Sequence, residues 1–183
     1  MRIFIGIKVK APTKLATIRQ HISEEHNKWV KEHNFHLTLV FIGQAQQQDL
    51  KKISAALKNI VRSHAPFNFI IKGAGTFQKR RSSGVLWLGV ENSETLNKLK
   101  DDINRTILQL MPSLKPQHMA YTPHITVARL KNKDLLTKYR QLLEQANIST
   151  TQSVSEVILY ESVSAPNGVE YNVLEKFKLS AIN

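Results

Sequence analysis

The stretch Phe35-His36-Leu37-Thr38-Leu39-Val40-Phe41-Ile42-Gly43 decides how the chain is read. Successive side chains of a strand point to opposite faces. Phe35, Leu37, Leu39 and Phe41 therefore form one apolar row, and His36, Thr38, Val40 and Ile42 form the other. So apolar a strand is expected to be mostly buried, and an imidazole beside a hydroxyl on it needs polar partners or a cleft to face. The pattern returns in Tyr121-Thr122-Pro123-His124-Ile125-Thr126-Val127-Ala128-Arg129-Leu130, where His124 and Thr126 share a face and Ile125 and Val127 point away. Strict alternation puts Arg129 opposite His124. A single His-x-Thr pair is most simply a satisfied core histidine. Packing does not require the same polar pair twice.

Outward from these strands, periodicity predicts further elements. A strand is expected over 2–9, and a helix opens at Pro12 with Leu15, Ile18 and Ile22 on one stripe. His21 and His26 are five apart, which does not bring two imidazoles to one helix face as a zinc pair needs, so they read as surface residues. Helices are expected over 49–61, from a Ser93 cap to 110, and over 134–146. Further strands are expected over 67–71, 85–90, 153–160 and 169–179. Gly73-Ala74-Gly75 reads as a bulge or a close backbone approach, since no Gly-Lys-Ser/Thr follows it. Arg80 and Arg81 lie in a basic turn, and 111–121 reads as a loop. No linker divides the chain. The expected fold is α+β: a bilobal, pseudo-duplicated single domain over 1–183, with two mainly antiparallel sheets flanked by helices and a central cleft.

Composition narrows the chemistry. Of 183 residues, 42% are hydrophobic and 22% charged, the ordinary balance of a soluble domain. No run of eighteen apolar residues predicts a membrane span, and a cytoplasmic protein is expected. The absence of cysteine excludes disulfides, a thiolate nucleophile and zinc–thiolate sites. A net charge of +12 points to a polyanionic partner, RNA or DNA above all. No carboxylate cluster or third histidine accompanies the two motifs, so neither a metal nor another cofactor is expected. Two imidazoles across a cleft can serve as general base and general acid on one phosphorus centre, because histidine populates both protonation states near neutrality. Thr38 and Thr126 can donate to phosphate oxygens, and Arg129 can add a charge-assisted contact.

With these motifs the chain resembles the two-histidine phosphoesterase superfamily, and within it the bacterial and archaeal RNA 2',3'-cyclic phosphodiesterases, also known as 2'-5' RNA ligases. The resemblance runs through Met1-Arg2-Ile3-Phe4-Ile5-Gly6-Ile7, His36-Leu37-Thr38-Leu39, Gly73-Ala74-Gly75-Thr76-Phe77, Val85-Leu86-Trp87-Leu88-Gly89-Val90 and Pro123-His124-Ile125-Thr126-Val127-Ala128-Arg129. It implies hydrolysis of terminal RNA 2',3'-cyclic phosphates to 2'-phosphomonoesters and allows the reverse 2'-5' ligation; a monomer is expected. It also implies that His36 is the proton donor, His124 the proton acceptor, Thr38 and Thr126 phosphate holders, and Arg129 a phosphate contact. Tyr121 fills a place where an aromatic stacks on a base, or else belongs to the core. Two alternatives stay open: the same chemistry on a small substrate, such as an ADP-ribose cyclic phosphate or a 2'-5' oligonucleotide, and a non-catalytic RNA-end-binding protein.

Overall fold

The elements of the computed structural model run in the order β1 (Arg2–Lys8), α1 (Thr13–Gln20), β2 (Asn27–Trp29), a 3-10 turn (Glu32–Asn34), β3 (His36–Gln44), α2 (Gln47–Val61), β4 (Phe67–Gln78), β5 (Gly84–Val90), α3 (Glu94–Leu110), β6 (His124–Leu130), α4 (Lys133–Gln145), β7 (Ser149–Val154), β8 (Glu156–Ala165) and β9 (Gly168–Lys178). The structure describes residues 1–20, 27–78, 83–91, 93–112, 121–166 and 168–180. His21, His26, Arg80 and Arg81 lie outside them.

The helices begin where side chains satisfy their first amides. Ser93 Oγ accepts from Leu96 N at 3.1 Å, and Asn132 Oδ1 from Asp134 N at 2.8 Å. The Asp49 carboxylate accepts from Gln46 N at 2.8 Å. Their apolar stripes bury Ile53, Leu57 and Val61 on α2, Leu96, Leu99, Ile103 and Ile107 on α3, and Leu136, Tyr139 and Leu143 on α4. No helix of the described residues is long and apolar enough to cross a membrane.

All strand pairs are antiparallel, in the order β7-β4-β5-β6-β3-β1-β8-β9 with β2 beside β6. The two expected sheets are two halves of one hydrogen-bonded sheet: β9-β8-β1-β3 and β6-β5-β4-β7. A single register pair, Leu37↔Ile125, joins them. Both residues are fully buried, at 0% and 1% exposure, each stabilising the fold by about 1.5–3 kcal/mol. A one-residue slip of either strand would turn its own aliphatic outward and its own imidazole inward. Helices α2 and α3 pack together against the first half, touching β9 and β3, while α4 covers β4, β5 and β6 with α1 against it. The halves are exchanged along the chain. Helix α1 follows a strand of the first half and packs in the second, and α3 does the reverse.

Alternation fails at matching places in the two motif strands. Along β1, Ile5 pairs with Val40 but Gly6 with Thr38, leaving Leu39 as an extra residue. Along β5, Leu86 pairs with Ala128 but Trp87 with Thr126, leaving Val127 extra. Each bulge follows the motif threonine directly and inverts the faces beyond it. Arg129 therefore joins His124 and Thr126, contrary to the strict alternation expected from sequence. Phe41 likewise leaves the core row for the His36 face, where it is 39% exposed, and Val40 and Ile42 take its place inside. Gly6 permits the first bulge, since a Cβ there would lie 2.8 Å from the Leu37 carbonyl oxygen.

The glycine expectation splits in two. Gly73 has φ +77° at an irregularity between Ile71 and Ala74. Gly75 is a close approach: a Cβ would meet the Trp87 indole at 2.1 Å. Sequence periodicity merged two strands at 153–160. The break lies at Ser155, whose carbonyl accepts from Leu179 N at 2.9 Å as the chain passes from β7 in one half to β8 in the other.

Candidate active site

Antiparallel pairing gives β3 and β6 a local two-fold axis through Leu37 and Ile125. The neighbours of those residues point to the opposite face, so His36, Thr38, His124 and Thr126 share the face that the helices leave uncovered. Register places His36 toward Thr126 and Thr38 toward His124, with the two histidines on the diagonal. In a regular antiparallel pair such diagonal positions are about 7–8 Å apart, room for one tetrahedral phosphorus centre between two rings.

Both imidazoles are anchored in the same way. His36 Nδ1 donates to the Asn34 carbonyl at 2.7 Å, and His124 Nδ1 to the Thr122 carbonyl at 2.7 Å. A carbonyl only accepts, so Nδ1 carries the proton in each ring and Nε2 is the free nitrogen.

The surroundings differ. His36 packs against Phe4 (centroids 4.8 Å apart), edge-on to Tyr171 (4.7 Å) and 6.0 Å from Tyr160. Phe4, Ile158 and Tyr160 form a small second core on this face, with Tyr171 against it. His124 lies edge-on to Phe77 at 4.8 Å and 6.1 Å from Trp87. Burial lowers both imidazole pKa values from the ordinary 6.5, that of His36 to about 4. The anchoring carbonyls oppose this, and the Arg129 charge adds to the lowering at both rings; His36 is also lowered by His124. Both rings are therefore neutral at pH 7.

Arg129 is exposed on the same face, five residues after His124. Phe41 occupies the matching position after His36, with the Arg2 guanidinium 5.0 Å from its ring centroid. Tyr121 donates its hydroxyl to the Thr38 carbonyl at 2.9 Å, and Lys100 Nζ lies 5.0 Å from its ring centroid. Burial holds its phenol well above the ordinary 10. Tyr121 thus ties the segment entering β6 to β3, with one ring face already covered by a cation.

Sequence reasoning missed Asn34. Its side chain is 4% exposed, its Nδ2 donates to the Val169 carbonyl at 2.8 Å, and its Oδ1 accepts from Tyr171 N at 3.2 Å. The residue whose carbonyl anchors His36 therefore also clamps the β8–β9 hairpin that carries Tyr171. Glu170 on that hairpin pairs with Lys31 and, at 2.8 Å, with His33 Nε2. The available signal was its position two residues before the histidine, where a polar side chain has a fixed place. Phe41 and Phe77 were missed because exposed aromatics in an apolar run look like core. Among the described residues no three His, Asp or Glu side chains lie together as a metal site.

Two free Nε2 atoms, two hydroxyls and one guanidinium on one face suit proton transfer at both sides of a phosphate. The chain is 33% identical over 181 residues to the RNA 2',3'-cyclic phosphodiesterase of Thermotoga maritima, covering 95% of this chain and 93% of that one. It is 34% identical over 155 residues to the enzyme of the same name from Methanothermobacter thermautotrophicus, covering 83% and 82%. Its fold matches the crystal structure of Escherichia coli LigT complexed with 3'-AMP at a TM-score of 0.75 and 22% identity, over 98% of both chains. The profile of the 2'-5' RNA ligase superfamily matches residues 9–165, and the chain belongs to that superfamily, the two-histidine phosphoesterases.

Proposed function

We propose that the protein hydrolyses RNA 2',3'-cyclic phosphate ends to 2'-phosphomonoesters, without a metal ion. The observation that carries this reading is the pair of imidazoles anchored through Nδ1 on one face, each directly across from the other motif's threonine. His124 Nε2 takes a proton from water, whose oxygen forms the new bond to phosphorus. The P–O3' bond breaks opposite it, and His36 Nε2–H gives its proton to O3'. Thr38 and Thr126 donate to the non-bridging oxygens, and the Arg129 guanidinium neutralises their charge. The names of the curated relatives support the substrate, as does the net charge of +12.

The assignment of roles follows from the two environments. His36 starts neutral, and the phosphodiester anion is the charge that raises its proton affinity; that attraction is strongest in the drier, aromatic-walled surroundings. The less enclosed imidazole, His124, meets incoming water. The ribose then lies on the His36 side, where its base can stack on exposed Phe41.

The test is an oligoribonucleotide ending in a 2',3'-cyclic phosphate, incubated with the protein and a chelator. Conversion to a 2'-phosphomonoester is expected. A persistent cyclic end from folded protein, or a 3'-phosphate product, overturns the reading. Binding of the end without turnover would identify a docking protein instead.

A further inference from the structure

The pseudo-two-fold relation superposes β4-β5-β6 on β8-β1-β3, and so sets Phe77 against Tyr160. In the first half the row Phe41, Phe4, Tyr160 is joined in register across β3, β1 and β8. In the second half the corresponding row is Arg129, Val85, Phe77 across β6, β5 and β4. Tyr160 is closed over, 4% exposed, with Phe4 stacked at 4.9 Å and β9 paired along the whole of β8. Phe77 is 36% exposed. The outer strand β7 pairs with β4 only from Phe67 to Lys72 and stops short of it. Phe77 packs against Trp87 (centroids 5.2 Å) and edge-on to His124 (4.8 Å) and keeps part of its surface open to solvent. Trp87 can stand beneath it because Gly75 has no side chain.

A partly exposed aromatic ring on the reaction face, in one cross-strand row with Arg129, is a construction that can stack a nucleobase. The side on which it lies identifies the base. On the reading of the site given above, on which this inference rests, the leaving O3' and its ribose sit toward His36 and the incoming oxygen toward His124. Phe77 therefore flanks the nucleophile. We infer that Phe77, supported by Trp87, is a seat for the nucleobase of an attacking 5'-hydroxyl nucleoside, so that RNA can take the place of water. The step balances without a co-reactant. The 5'-oxygen forms a bond to phosphorus as P–O3' breaks; its proton goes to His124, O3' receives one from His36, and the product is a 2'-5' phosphodiester.

The experiment incubates the full chain with a cyclic-phosphate oligoribonucleotide and excess 5'-hydroxyl acceptor, and measures the ratio of 2'-5' joined product to 2'-phosphomonoester. Three acceptors are compared: a purine nucleoside, an abasic ribose and methanol. With wild-type protein the purine is expected to raise the ratio over the abasic acceptor by at least fivefold, since stacking on a side chain is worth about 1–3 kcal/mol. Phe77→Leu, which keeps apolar packing against His124 but removes the π face, should abolish that preference; Phe77→Trp should keep it. Equal ratios for all three acceptors, or a preference unchanged in Phe77→Leu, overturn the inference. So does a Phe77→Leu defect confined to KM for hydrolysis of a dinucleotide relative to a mononucleotide cyclic phosphate, which would assign the ring to the substrate strand's own penultimate base. Loss of hydrolysis in the wild type would instead sink the reading of the site.

Discussion

The two halves of the site share a motif, a bulge and a carbonyl anchor, yet their second layers have diverged. Around His36, Phe4, Tyr160 and Tyr171 close in, and Asn34 ties the covering hairpin to the carbonyl that holds the ring. Around His124 the anchor is Thr122, which is exposed, and the aromatic wall of Phe77 and Trp87 is partly open. Repetition supplies two equivalent imidazoles. Unequal burial then makes them chemically distinct, as an acid–base pair requires.

The comparison breaks first at the rings themselves. His36→Ala and His124→Ala should each lower turnover by roughly 10²–10⁴-fold in the cyclic-phosphate assay, the value of a general acid or base. Normal turnover in either variant would remove that ring from the mechanism. The next test uses the residues that the bulges bring to matching positions. Arg129→Gln should reduce kcat/KM by roughly 10- to 150-fold, as expected for losing a charged hydrogen bond worth 1.5–3 kcal/mol. Phe41→Ala should act mainly on KM.

A smaller effect probes the anchors. Asn34→Ala should lower kcat/KM about tenfold through misplacement of His36 and move the pH optimum toward neutrality as the ring gains solvent. Thr122→Ala, on the open side, should stay within about twofold. Equal effects would mean that the hairpin clamp has no bearing on the chemistry.

The mildest signature is in pH. The reactive form carries one proton on the pair and is most populated between its two titrations. Both lie below 6.5, so kcat/KM should peak on the acid side of 6.5. Stability follows the same groups. The unfolded chain protonates His36 near 6.5 and the folded one near 4, so stability is complete above 6.5 and falls as pH drops between those values. The ion-paired Glu170 and Glu175 lose their contribution only below the ordinary carboxylate value of 4.5. Urea midpoints at pH 7 and 5 should therefore differ in the wild type and differ less in His36→Ala, where the lowered His124 remains.

Much of this arrangement could be read from residue order. The two His-x-Thr strands, the stripes of α2 and α3 and the division into halves all follow from periods of two and 3.6, which local sterics enforce. What could not be read depends on neighbours distant in sequence. The inversion of Phe41 and Arg129 is set by pairing with β1 and β5, including the missing side chain at Gly6. Asn34 matters because residues 169–171 fold back onto it, and Ser155 ends a strand because its two sides pair in different halves of the sheet. Tyr121 gave no sign that its hydroxyl would reach the Thr38 backbone.

The lone Leu37↔Ile125 stitch has a mechanical corollary. On the proposed mechanism the phosphorus sits above this pair, and a rotation of one half against the other about it would change the gap between the two rings.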